Sequence, residues 1–131
     1  MALITWTETA YGTTVPVCDN EHKTLFDMLN ALHELAAGDD RGAVGNKLDE
    51  LINYVVKHFA TEERLMQQKG YAGFAAHKAE HDKLVGTCAG LQKQFHAGEA
   101  EITQDTTAFV KSWLDSHIPG FDKPYGPTLA S

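Results

Sequence analysis

Apolar residues recur every three to four positions over most of this chain. That spacing predicts helices, because a residue and its third and fourth successors share one face of an α-helix. Leu25, Phe26, Leu29, Leu32, Leu35 and Ala36 form a first stripe, predicting a helix from an N-cap at Asp19 to about Ala37. A second stripe, Val44, Leu48, Leu51, Ile52, Val55 and Phe59, predicts a long helix from about Ala43 to Gln68, closed by Lys69-Gly70. Phe74, Leu84, Val85, Cys88, Leu91 and Phe95 predict a third, from about Gly73 to Ala97. Ile102, Thr106, Phe109, Val110, Trp113 and Leu114 predict a fourth, broken at Pro119-Gly120. Residues 1–18 show no helical period and read as an extended arm, with Trp6 and Tyr11 packed on the outside of the bundle. The Pro- and Gly-containing tail, residues 123–131, is expected to lie over the surface. Short turns between amphipathic helices make consecutive helices antiparallel neighbours. The fold expected is all-α, an up-down-up-down antiparallel four-helix bundle over residues 19–122, in a single domain spanning 1–131.

Polar residues interrupt these stripes at one level. His22 lies one turn before Leu25 and Phe26, His58 and Glu62 continue the second stripe, His77 and His81 sit between Phe74 and Leu84, and His117 ends the fourth, with Asp122 five residues further on. Residues four apart are stacked on a helix, so His58 with Glu62 and His77 with His81 are two-point chelates. A single such pair is common on a solvated helix. Here all point inward, and a buried carboxylate among imidazoles must be coordinated or neutralised, since an unpaired buried charge costs several kcal/mol. Helix starts and ends alternate in an antiparallel bundle, so His22, His58, Glu62, His77, His81, His117 and Asp122 all converge at one end.

Seven groups exceed what one zinc ion takes, and thiolates or a carbonyl-rich loop suited to structural zinc or calcium are missing from the set. Two six-coordinate ions fit. Five imidazoles, two bridging carboxylates and a bridging oxygen fill about eleven of twelve positions, leaving one vacancy for a small diatomic ligand. Imidazole with carboxylate suits iron, and manganese accepts the same set. Composition removes other classes of function. A net charge of −7 without a Lys/Arg cluster disfavours nucleic acid and anionic lipid. No apolar run is long enough to span a membrane, and the start of the chain does not read as a signal peptide. Two cysteines, Cys18 and Cys88, without CxxC spacing read as reduced thiols in the cytoplasm.

Trp6, Asp19-Asn-Glu-His22, His58-Phe-Ala-Thr-Glu62-Glu63, His77-Lys-Ala-Glu-His81 and His117-Ile-Pro-Gly-Phe-Asp122-Lys-Pro-Tyr125 together resemble the hemerythrin family, in its free-standing bacterial form. The resemblance covers nearly the whole chain. It implies a non-haem centre of two iron ions, cycling between Fe2+ and Fe3+ with a bridging oxo or hydroxo group, that binds O2 reversibly. It implies that His77, His81 and His117 serve the filled iron, His22 and His58 the iron with the open position, and Glu62 and Asp122 the bridges. Glu21 and Pro124 depart from the usual residues of the family, and neither is expected to touch a ligand.

Outside the seven, His33 and His96 read as solvent-facing or helix-end residues, and Glu63, turned about 100° from Glu62, as a solvated acid. Leu114, one turn before His117, reads both as core and as the apolar wall of an O2 pocket that keeps water from the bound ligand. The leading function is therefore an O2 carrier, store or delivery module that is not an enzyme, with O2 and an unidentified O2-consuming protein as its expected partners. A peroxidase or nitric-oxide-reducing enzyme, a redox sensor and an iron store are the alternatives. Turnover would need a proton donor near the vacancy, and the stripes show no further inward-facing acid, base or hydroxyl at the level of the ligands.

Overall fold

The computed structural model describes residues 2–130. The four long helices are α2 (Pro16–Ala36), α3 (Arg41–Gln68), α4 (Phe74–His96) and α5 (Gln104–His117). α2 packs on α3 and α5, and α3 packs on α4, as consecutive antiparallel neighbours require. A single helical turn, α1 (Glu8–Tyr11), lies in the N-terminal arm, and a short helix, α6 (Lys123–Leu129), follows α5. Among the described residues no helix is long and apolar enough to cross a membrane.

Local chemistry sets the helix ends. α2 starts at Pro16, three residues before the expected cap, because proline's fixed φ and missing N–H suit a first helical position. Asp19 instead turns back, accepting from the Thr13 backbone N–H at 2.9 Å and the Thr13 hydroxyl at 2.8 Å. Asp40 caps α3 through the Ala43 N–H, and Thr103 with Thr106 forms a reciprocal capping box at α5. Gly70 follows α3 at φ 66°, a left-handed conformation that a residue with a Cβ adopts only at a cost.

The main core runs along the bundle axis and includes Leu25, Leu29, Leu48, Leu51, Val55, Leu84 and Leu114. The N-terminal arm packs on it from outside: Asn30 brackets Ile4 by accepting from its N–H and donating to its carbonyl, at 3.0 and 2.8 Å. Tyr11 lies edge-on to Phe26 and donates to Asp115 at 2.5 Å. A second, smaller core joins Val15, Cys18, Met66, Tyr125 and Leu129 where α2 starts and α3 ends. The C-terminal segment therefore does not lie over the surface. α6 is docked, with Tyr125 and Gly126 buried, because its apolar residues fill the space between the start of α2 and the end of α3. Gly126 is required there: a Cβ at that position would collide with the Thr13 carbonyl.

Candidate metal centre

The seven inward-facing residues meet at one end of the bundle, and each is at most 3% exposed. α2 supplies His22, α3 supplies His58 and Glu62, α4 supplies His77 and His81, and α5 supplies His117. Asp122 arrives by a different device. Residues 118–122 form one π turn, closed by the Lys123 N–H on the Ile118 carbonyl. A π turn closes its hydrogen bond between residues five apart, where an α-helix uses four, and the wider turn brings a residue five after His117 back to the same side.

The two carboxylates divide the imidazoles into two sets. Glu62 Oε2 lies 3.2 Å from both His22 Nε2 and His58 Nε2, while its Oε1 lies 3.2 Å from His81 Nε2 and 3.8 Å from His77 Nε2. Asp122 Oδ1 lies 2.9 Å from His77 Nε2 and 3.0 Å from His117 Nε2, while its Oδ2 lies 3.0 Å from His22 Nε2. Each carboxylate thus spans the gap between a three-histidine set and a two-histidine set. Donor atoms of the same two groups, each sharing Glu62 and Asp122, lie within 4.8 Å of one another.

These atoms are close without being aligned for hydrogen bonds. His22 Nε2, His77 Nε2, Glu62 Oε1 and both Asp122 oxygens are buried with no hydrogen-bond partner, and His81 Nε2 faces His117 Nε2 at 3.2 Å. Two imidazole nitrogens turned towards each other, beside orphaned carboxylate oxygens, need a cation between them. The spacing suits one: ligands at right angles on an ion with bonds of about 2.1 Å sit roughly 3 Å apart. The donor set therefore fits metal. Without it, protons hold the cluster together. Burial opposes a charge on His58, but the Glu62 carboxylate and the hydrogen bond His58 donates to Glu21 hold its proton up to about pH 10. Burial would raise Glu62 and Asp122, and the surrounding histidines outweigh it, keeping both carboxyls well below their ordinary range. Metal binding must displace those protons.

Residues 13–129 match the family model for the hemerythrin HHE cation binding domain. The chain belongs to the hemerythrin family. It is 63% identical over its full length, and the full length of the relative, to bacteriohemerythrin of Methylococcus capsulatus. The bacteriohemerythrin of Stenotrophomonas maltophilia is 37% identical over 95% of this chain and 80% of its own. The crystal structure of a wild-type hemerythrin, 62% identical, superposes with a TM-score of 0.99 over 99% of this chain and 100% of that one, and that of an L114A hemerythrin mutant matches equally well.

Three features of this hemerythrin's centre depart from the sequence reading. Glu63 is not a solvated acid: its Oε2 lies 2.9 Å from His81 Nδ1, because its side chain reaches across to α4. Glu21 does touch a histidine of the set, with Oε1 2.7 Å from His58 Nδ1, and its other oxygen accepts from the Thr61 hydroxyl at 3.3 Å. A carboxylate on Nδ1 fixes ring orientation and leaves Nε2 free to face inward. The third is a hydroxyl at the ligand level. Tyr125, fully buried, donates to Glu62 Oε2 at 2.6 Å, and burial together with the Glu62 and Asp122 charges holds its proton firmly. The signal for Glu21 and Glu63 was adjacency to His22 and Glu62, which places each at the seam with the next helix. Nothing in the period of α6 pointed to Tyr125.

Aromatic rings wall the three-histidine side. Phe59 stacks on His81 at 3.7 Å, Trp113 and Phe121 on His117 at 4.2 and 5.3 Å, and Tyr125 on His77 at 5.6 Å. Among the described residues no aromatic ring outside the set lies parallel to His22 or His58. Leu114 is buried one helical turn before His117. His33 and His96 stay outside the set, His33 against the Thr107 hydroxyl and His96, at the end of α4, against Asp49.

Proposed function

We propose that this hemerythrin binds O2 reversibly at a centre of two iron ions and serves to carry, store or deliver it without turning it over. The observation that carries the reading is the unequal split of imidazoles by two shared carboxylates: His77, His81 and His117 on one side, His22 and His58 on the other. An ion held by three nitrogens and two carboxylate oxygens would have room for a single oxo or hydroxo group, while one held by two nitrogens and two carboxylate oxygens would have room for O2 as well. Two iron ions held there would supply both the electrons and the vacancy that O2 needs.

The protein's own contribution is rigidity and dryness. Glu21 and Glu63 lock two of the imidazoles, and four aromatic rings pin the three-histidine set, so a bound ion's open position would lie on the His22 and His58 side. Leu114 supplies apolar bulk near the ligand level, excluding the water and protons that would release the oxygen as a reduced product. Among the described residues Tyr125 is the hydroxyl that hydrogen-bonds a residue of the set, and it is a poor acid: its proton stays on the phenol, engaged by Glu62 in a hydrogen bond and held by two neighbouring charges. That favours binding over catalysis. The free thiols Cys18 and Cys88 fit a reducing compartment, the cytoplasm, and the recipient we propose there is an O2-consuming protein.

The test is an optical spectrum of anaerobically reduced, iron-loaded protein, recorded before air, in air and after O2 is stripped away. A coloured species that appears and disappears with O2 supports the reading, and irreversible oxidation with consumption of peroxide or nitric oxide replaces it with an enzyme. His58→Ala should abolish the reversible colour.

A further inference from the structure

A largely enclosed cavity of about 40 Å³ lies inside the bundle, lined by residues of all four long helices. It begins one turn from the ligand level, since Val55 precedes His58 by three residues and Leu84 follows His81 by three. Leu48, Ile52, Val55, Leu84 and Val110 line it, and every atom that faces it is apolar. The two lining hydroxyls are engaged elsewhere. Thr107 Oγ1 lies 2.6 Å from His33 Nδ1 and 3.1 Å from the Gln104 carbonyl, and Thr106 Oγ1 accepts from the Thr103 N–H. A space of roughly 10–15 Å³ holds one water, but a water needs two to four polar partners, and apolar cavities without them stay dry and take up xenon or small hydrocarbons. Size and lining together select a small apolar molecule.

A way in is visible on the outside. Between α4 and α5, the loosest of the four seams, runs an open groove lined by Glu80, Lys83, Leu84, Thr87, Phe109 and Trp113. Leu84 lines both groove and cavity, and its side chain is buried between them. On the inner side, Val110 leads in one turn along α5 to Leu114, and in a further turn to His117.

We propose that this cavity is a binding site for a small apolar gas, and that Leu84 is the gate through which O2 passes from the α4–α5 groove towards Leu114 and the metal centre. The gas site stands on the cavity alone. The passage of O2 rests on the function proposed above.

Xenon is the probe for the first half, applied under pressure to crystals of the iron-loaded protein, and stopped-flow O2 kinetics for the second. One xenon atom among Leu48, Ile52, Leu84 and Val110 is expected. Leu84→Trp should fill the space, abolish xenon binding and slow O2 association and dissociation together, by roughly tenfold each. Cys88→Phe fills the same cavity from its half-buried rim and should act in the same direction if the tryptophan variant does not fold. A crystal with no xenon in the cavity overturns the gas site. O2 rates unchanged in a variant that has lost its xenon overturn the gate. Xenon bound in a protein that takes up no O2 upholds the gas site and overturns both the carrier function and the passage built on it.

Discussion

Replacing Tyr125 by Phe removes one oxygen from the interior and little else. The ring would keep its place beside His77, at 5.6 Å and 15°, and within the small core of Val15, Cys18, Met66 and Leu129. What is lost is a 2.6 Å hydrogen bond from a buried hydroxyl to a buried, ionised carboxylate. A hydrogen bond to a charged group contributes about 1.5–3 kcal/mol, and here neither partner can turn to solvent instead. At roughly 4 °C per kcal/mol for a domain of this size, the metal-free protein should melt about 6–12 °C lower. Iron changes the magnitude in a definite direction. Once Glu62 is bound to a cation its residual charge is smaller, and the loss should shrink towards that of a neutral hydrogen bond, about 0.5–1.5 kcal/mol. Calorimetric unfolding of wild type and Tyr125→Phe, each metal-free and iron-loaded, measures both shifts. Equal melting temperatures in the metal-free proteins, or a larger loss in the loaded ones, would refute the reasoning.

Other consequences are as direct. Glu21→Ala and Glu63→Ala each free an imidazole Nδ1, and iron affinity in competition with a chelator should fall tenfold to a hundredfold, as is usual when a ligand loses its supporting carboxylate. Gly126→Ala drives a methyl group into the Thr13 carbonyl and should destabilise the fold by about 1–3 kcal/mol, read as a lower denaturant midpoint. Leu114→Ala opens space near the ligand level, and autoxidation of the oxygenated protein should speed up by roughly tenfold, equivalent to about 1.4 kcal/mol of barrier; an unchanged rate would remove Leu114 from the pocket.

The bundle and the convergence of six of the seven residues were legible because both follow from helical period. An inward stripe fixes which face is buried, and antiparallel order fixes which ends meet, so His22, His58, Glu62, His77, His81 and His117 could be placed together without coordinates. Asp122 was legible only as a residue beyond the helix. Its approach depends on the π turn, and a five-residue spacing across Pro119 carries no periodic signal. Glu21 and Glu63 were misread for a related reason. The period of a helix tells which way a side chain leaves its own axis, but both carboxylates act on imidazoles of the adjacent helix, within reach of a long, flexible side chain. α6 was hidden by composition. Lys123-Pro-Tyr-Gly-Pro looks like a surface tail, yet Pro124 stands in a first turn where proline is tolerated, and Gly126 permits the close approach that buries Tyr125.

The central claim is that two ions share Glu62 and Asp122 and divide the five imidazoles three to two. A crystal of the iron-loaded protein, measured at the iron absorption edge, tests it most directly. Two anomalous peaks are predicted, one beside His77, His81 and His117 and the other beside His22 and His58, with both carboxylates between them. A single peak, or two peaks of which one lies away from the His22 and His58 nitrogens, would contradict it.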